Sequence, residues 1–510
     1  MLLRRLMALL LLALPATARA DWYEASTPHF IVYADRDPEK LKAFATNLER
    51  LDRAIRLMVG GGDAETSNAA RVTVFTVDDV QTVERLIGRQ GVDGFFVPRA
   101  SGSVAIVPEQ GRGGGSLALK PLQILLHEYA HNLMLSLDPN TGYPSWLIEG
   151  FAEFNATARF GKDGSVTLGE PPLYRGISIM SDAGLPMEKL LTVDSKSLGE
   201  SQIDGFYGRA WLLTHYLRLG APQRSTQLSA YVAALKAGKS TREAAKVFGD
   251  LKQLDGELEV YKKRHLAIST LPGAQLAIGP VTVRKLSAGM AAMMEVRIRS
   301  KAAVRPDTVQ PIYADARKAA APWPDDPDAQ LVLAGAAIDA GDYAGAQAAA
   351  DRALAADPKL VRALTLDANA RMLEARKAKD ARPESWNAVR AILSKANRLD
   401  PRDPMPLWLY YRSYVEQGVA PPEIAKDGLN SAFLLAPYDY ALRMTTAVMY
   451  LGERNATGAR TVLQPLVNDP HSGAHGKLAA ALVAKLDAGD LDGAIAAVRA
   501  KSEKADNGGD

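Results

Sequence analysis

The 510-residue sequence contains no cysteine. That excludes disulfides, thiol catalysis, thiolate metal ligands and a lipid-modified N-terminal cysteine. It also lacks any excess of basic residues once its first twenty are set aside. Arg4, Arg5 and Arg19 fall in that stretch, and the remainder balances 58 acidic residues with as many basic ones. A nucleic-acid or anionic-membrane partner, which would need a cationic surplus, is not expected. Long apolar runs are scarce as well. The one near the N-terminus, Leu6 to Leu14, is too short to span a bilayer and is followed by Pro15.

That run has Arg4 and Arg5 before it and Ala18-Arg19-Ala20 after it, the pattern of a cleaved signal peptide over residues 1–20. The mature protein is therefore expected to be exported, periplasmic or secreted, with no integral membrane segment. Hydrophobic residues make up 47% and charged residues 23% of the chain, ordinary globular usage. At this length two or three domains are expected.

From Asp21 to about Ser116 the pattern alternates between strand-like and helical pieces. His29–Tyr33, Arg71–Phe75 and Ser103–Val107 are β-rich, and Pro38–Met58 places Leu41, Phe44, Leu48, Leu51, Ile55 and Met58 on one helical face. Gly111–Gly115 reads as a hinge and not as a phosphate loop, because no Gly-Lys-Ser/Thr follows it. Residues after the motif described next read as helical to about Thr270. Val281–Leu286 and Met293–Ile298 are expected to form a hairpin or connector.

The chemistry lies in His127-Glu128-Tyr129-Ala130-His131, inside the apolar run Leu122–Leu137. Two histidines four apart on a helix project from one face and can share a metal ion. Glu128 is then placed to take a proton from a water on that metal. Pro144-Ser-Trp-Leu-Ile-Glu149-Gly-Phe-Ala-Glu153 follows, and seventeen residues separate His131 from Glu149. That is room for a turn at Asp138–Gly142 and the start of a second helix carrying Glu149 as third ligand. Glu153, four residues on, shares its face and can orient a ligand histidine.

HExxH followed by W-L-x-E-G-x-x-E resembles the gluzincin metallopeptidases, the group of thermolysin and the aminopeptidase-N-like enzymes. Residues 22 to about 220 are more loosely similar to a peptidase MA-like family often seen with C-terminal tetratricopeptide repeats. The resemblance implies Zn2+ as cofactor, with His127, His131 and Glu149 as ligands, Glu128 as general base and Glu153 as the carboxylate behind a ligand. It implies a peptide or protein substrate. No G-x-M-E-N motif precedes the site, so endopeptidase action is expected over exopeptidase action. Related enzymes offer substrate an edge strand and stabilise the oxyanion with a later Tyr or His. Ser103–Val107 is the expected strand, and Tyr207 the expected oxyanion residue, with His215 in reserve. Aromatic residues at helical spacing are, however, more often core. His471 and His475, also four apart, read as exposed turn residues and not as ligands.

From about Pro306 the chain is rich in Ala, Leu and Asp. Asp357-Pro358, Asp400-Pro401, Ala436-Pro437 and Asp469-Pro470 recur at intervals of 43, 36 and 33 residues. Together with Asp328–Pro358 this resembles tetratricopeptide repeats, whose period is about 34 residues. Stacked helix pairs leave a surface suited to a protein partner. The expected architecture is α+β: a zincin-like metallopeptidase domain at 21–270, a connector at 271–305, an all-α tetratricopeptide-like repeat domain at 306–500 and a disordered tail at 501–510. The alternative function is a catalytically inactive envelope scaffold or protein-binding module acting through its repeats.

Overall fold

A computed structural model describes residues 21–507, apart from 36, 63–66, 114, 116–117, 182–184 and 303. The expected signal peptide lies outside the described residues.

Strands β1 (Tyr23–Ser26) and β2 (Phe30–Ala34) lead into helix α1 (Pro38–Val59). Then come β3 (Val72–Asp79), α2 (Val80–Ile87), β4 (Phe95–Val97) and β5 (Val104–Gln110). The sheet runs β4-β5-β3-β2-β1 and then Thr282–Lys285. β2, β3 and β5 pair in parallel and the outer strands pair antiparallel. α1 begins with Asp37 capping the Glu39 amide and ends at Gly60, which is left-handed at φ 72°.

Side chains alternate between the two faces of a strand, and here both faces are covered. On the first face Phe30, Val32, Val72, Val74 and Ala105 pack against α1 and two helices that carry the site. On the second face Tyr33, Phe75, Val104 and Ile106 pack against α2 and the helix Ala288–Ala302.

Two expectations are corrected here. Ser103–Val107 is not an edge strand, because Phe95–Val97 pairs with it through Ile106, Ala105 and Val104. The edge on that side is β4. Nor do Val281–Leu286 and Met293–Ile298 form a hairpin. The first supplies the strand at the opposite edge of the sheet, and the second lies within the helix Ala288–Ala302. Met290, Met294 and Ile298 of that helix face the sheet while Met293 and Val296 face the next helices, so the expected connector is a shared core element.

From Pro327 the chain forms five successive helix pairs, a helical repeat, the last helix reaching Asn507 into the stretch expected as a tail. All four Asp-Pro or Ala-Pro sites fall where a helix stops: Asp357, Asp400, Ala436 and Asp469 are each the C-cap. Among the described residues no helix is long and apolar enough to cross a membrane.

The repeat region folds back onto the α+β region. Ala100 packs with Leu429, Tyr438 and Leu442, and its amide donates to Asp439 at 2.7 Å. Arg443, fully buried, donates to the carbonyls of Pro437, Val462 and Pro139. Tyr438 donates to the carbonyl of Ala70.

Candidate metal centre

Helix α3 (Pro121–Leu137) carries the two histidines and α4 (Ser145–Ala156) the two glutamates. α3 starts on Pro121, with Gln123 accepting from the Lys120 amide. Its far face is anchored by Tyr129, whose hydroxyl donates to Asp52 of α1. The turn to α4 is tied by Asp138, which accepts from Thr141 and Tyr143 and pairs with Lys236. Every residue of α4 is buried. Its Gly150 meets the helix Glu200–His215 so closely that a Cβ would overlap Thr214 Oγ1 and the Ala210 carbonyl.

These helices bring His127, His131 and Glu149 together. The two Nε2 atoms are 3.0 Å apart, and Glu149 Oε2 stands 3.2 Å from His127 Nε2 and 3.6 Å from His131 Nε2. A fourth donor joins from the repeat region: His471 Nε2 is 3.6 Å from Glu149 Oε1, and its ring centroid is 4.9 Å from that of His131. His471 is an exposed turn residue, as expected, but it stands beside the site and not apart from it. Its loop is pinned against the start of α4, with Ser145 Oγ donating to the Asn468 carbonyl and Lys196 Nζ to that of Val467. Asp469 accepts from the His471 amide and from Tyr440, fixing the loop from within.

A metal fits these residues. Both Glu149 oxygens and His131 Nδ1 are buried without a hydrogen-bond partner, and the Glu149 carboxylate has three imidazoles within 3.6 Å. Four donors, one from each residue, lie within 4.8 Å of one another. Zinc–ligand bonds near 2.05 Å put tetrahedral donors about 3.3 Å apart, and the donors of His127, His131 and Glu149 stand 3.0 to 3.6 Å apart. Burial alone would raise the Glu149 pKa, but His131, His127 and His471 outweigh it and hold the carboxyl well below its ordinary range. Burial would lower that of His471, yet Glu149, Glu128 and Asp469 push it up to about 10.

Glu128 makes no hydrogen bond or ion pair with a described residue, and its charge is felt by His127, His471, Tyr207 and Tyr440. Glu153 lies 3.7 Å from His127 Nδ1, while its hydrogen bonds come from Tyr174 at 2.7 Å and Arg175 at 3.0 Å. Arg175 also stacks on Tyr207, 4.7 Å from the ring centroid. Tyr207 is therefore beside the site, its ring centroid 6.2 Å from that of His127, and burial together with Glu149 raises its pKa. His215 belongs to the core. It contacts the carbonyls of Gly169 and Ala267 and the Tyr261 hydroxyl, and burial holds its pKa down to about 4.

Tyr174, Arg175, Tyr440 and His471 were not legible as site residues. Only the four-residue spacing of His471 and His475 hinted at one. A second group, His29, Glu49 and Asp52, is also compact, but Arg56 already neutralises Asp52 at 2.7 Å and Glu49 bonds both the amide and Nδ1 of His29. It ties α1 to the sheet.

No known protein-family profile matches the chain, and no curated protein matches it in sequence. Among solved structures, a thermophilic TPR protein of Thermus thermophilus is similar to 34% of this chain over 90% of its own length, with 19% identity and a TM-score of 0.31.

Proposed function

We propose that this chain is an exported zinc metallopeptidase of the gluzincin type, an endopeptidase, with a helical-repeat region that both binds protein and closes over the active site. One observation carries the reading: a fully buried Glu149 carboxylate within 3.6 Å of both imidazoles of an HExxH helix. His127, His131 and Glu149 are the residues to hold zinc, which when bound supplies Lewis acidity toward a carbonyl oxygen.

The chain's own groups do the rest. Glu128, without a competing partner among the described residues, takes the proton of the attacking water and returns it to the leaving nitrogen. Tyr207, held by the Arg175 stack, is the donor for the oxyanion. Tyr174 and Arg175 fix Glu153 behind His127. The test is Glu128→Gln, which keeps zinc and should lower hydrolysis of an unstructured protein by about 10²–10⁴-fold. Undiminished hydrolysis would contradict the assignment.

A second reading, a protein-binding scaffold with an inactive metal site, is favoured by His471. A catalytic zinc keeps a position open, and His471 is placed to fill it. The scaffold reading expects no turnover with or without His471, whereas the peptidase reading expects turnover to rise in His471→Ala.

A further inference from the structure

On the second face of the sheet, away from the metal centre, lies a cavity of about 1280 Å³. Its floor is Tyr33, Thr73 and Phe75 of the sheet, one wall is the helix Ala288–Ala302, and the repeat helices Pro327–Asp339 and Val361–Lys377 close over it. The space is partly open to solvent, and its volume matches or exceeds that of ordinary small-molecule sites.

Its charge is what marks it. Arg99, Arg297, Lys301 and Arg362 all line it, contributed by the loop before β5, the connecting helix and the repeat region. Arg297 is occupied, lying 4.5 Å from the Tyr33 ring centroid. Arg99, Lys301 and Arg362 make no side-chain hydrogen bond or ion pair with any described residue. Asp339, Asp403 and Asp439 act on them as opposite charges but place their hydrogen bonds elsewhere. Asp339 accepts from Ser300 Oγ at 3.3 Å, and Asp403 caps the Met405 amide at 2.9 Å.

The electrostatics agree with the geometry. Burial, then the charges of Arg362, Arg99 and Arg297, hold the Lys301 ammonium well below its ordinary range. Burial also lowers Arg362 and Arg99 and raises Asp339. Cations outnumber the aspartates in this lining, and the repulsion among them is relieved when something negative joins them.

We propose that this cavity binds a small organic anion carrying at least two negative charges on phosphate or carboxylate groups, with Arg99, Lys301 and Arg362 as its charge partners. Guanidinium groups grip both oxyanions through paired N–H donors, and the lysine adds a point charge. Val332, Leu366 and Met405 in the lining offer apolar contact to the carbon body of such a ligand. Because the three cations come from three parts of the chain, the bound anion ties the repeat region to the sheet. The inference does not depend on the metal centre.

The experiment is calorimetric titration and thermal unfolding of the full mature chain with inorganic phosphate and with succinate, at constant ionic strength set by sodium chloride. Saturable binding of at least one, with a rise in Tm that chloride does not give, is the expected result. Phosphate alone, or succinate alone, would support the site and identify its chemistry. Arg362→Met should weaken binding tenfold or more and raise the anion-free Tm, since it removes one of several repelling charges. Lys301→Met should act likewise and serves where the first variant fails to fold. No saturable binding of either anion, or binding unchanged in both variants, would overturn the proposal.

Discussion

His471 Nε2 stands 3.6 Å from a carboxylate oxygen of Glu149, so a loop of the helical-repeat region reaches into the candidate metal centre of the α+β region. The contact joins the two parts of the molecule at its most chemically loaded point.

Removing this histidine is therefore informative. In His471→Ala, zinc content should stay near one per chain, because His127, His131 and Glu149 remain. Cobalt substituted for zinc should change its visible absorption as a nitrogen donor is lost, and turnover on an unstructured protein should rise several-fold. An unchanged cobalt spectrum would show that His471 does not reach the metal.

Seating of the repeats rests heavily on Arg443, whose buried guanidinium donates to carbonyls of Pro437 and Val462 and, across the interface, to that of Pro139. Arg443→Met keeps much of the packing but leaves those acceptors unmatched. Urea denaturation should show a loss of roughly 2–4 kcal/mol. A midpoint within error of the parent would contradict the assigned role.

Gly150 sets the spacing between α4 and the helix Glu200–His215, where one of the clashing atoms is a backbone carbonyl that has no rotamer to escape into. Gly150→Ala should push α4, and Glu149 with it, by about half an ångström or more. Competition with a chelator should then show zinc held at least tenfold more weakly. Equal affinity would mean that Glu149 contributes little.

Asp403 provides a pH signature outside the metal centre. Burial lifts its pKa to about 6, against lowering by the Met405 amide and Arg362, with Asp400 adding to the rise. Its folded pKa exceeds its unfolded one, so the folded state binds the extra proton. Stability should increase as pH falls from about 7 through 6 towards 4, the raised carboxyl costing on the order of 3 kcal/mol above that window. Asp403→Asn, which can still cap the Met405 amide, should be more stable at pH 7 and show a flatter Tm profile between pH 4 and 7. A profile identical to the parent's would refute this.

Much of the site could be read in the sequence because its parts are local. HExxH and the glutamates of α4 each sit at helical spacing, and the intervening turn is short enough to fold the two helices face to face. The Asp-Pro and Ala-Pro sites were equally legible, since a residue before proline is driven out of the helical region. His471 was not, because its position is fixed by tertiary contacts of Ser145 and Lys196 with its loop, and no periodicity encodes these. Met293–Ile298 misled for another reason. Its helix is apolar on two sides, one against the sheet and one against the repeats, which erases the single-face pattern that distinguishes helix from strand. Ser103–Val107 lost its expected place at the edge to a strand of only three residues, too short to stand out by alternation.

The most direct test of the central claim is zinc per chain, by elemental analysis, on the untagged mature protein beside its His131→Ala variant. About one zinc is expected in the parent and almost none in the variant. No zinc in the parent even after incubation with the metal, or equal zinc in both, would contradict it.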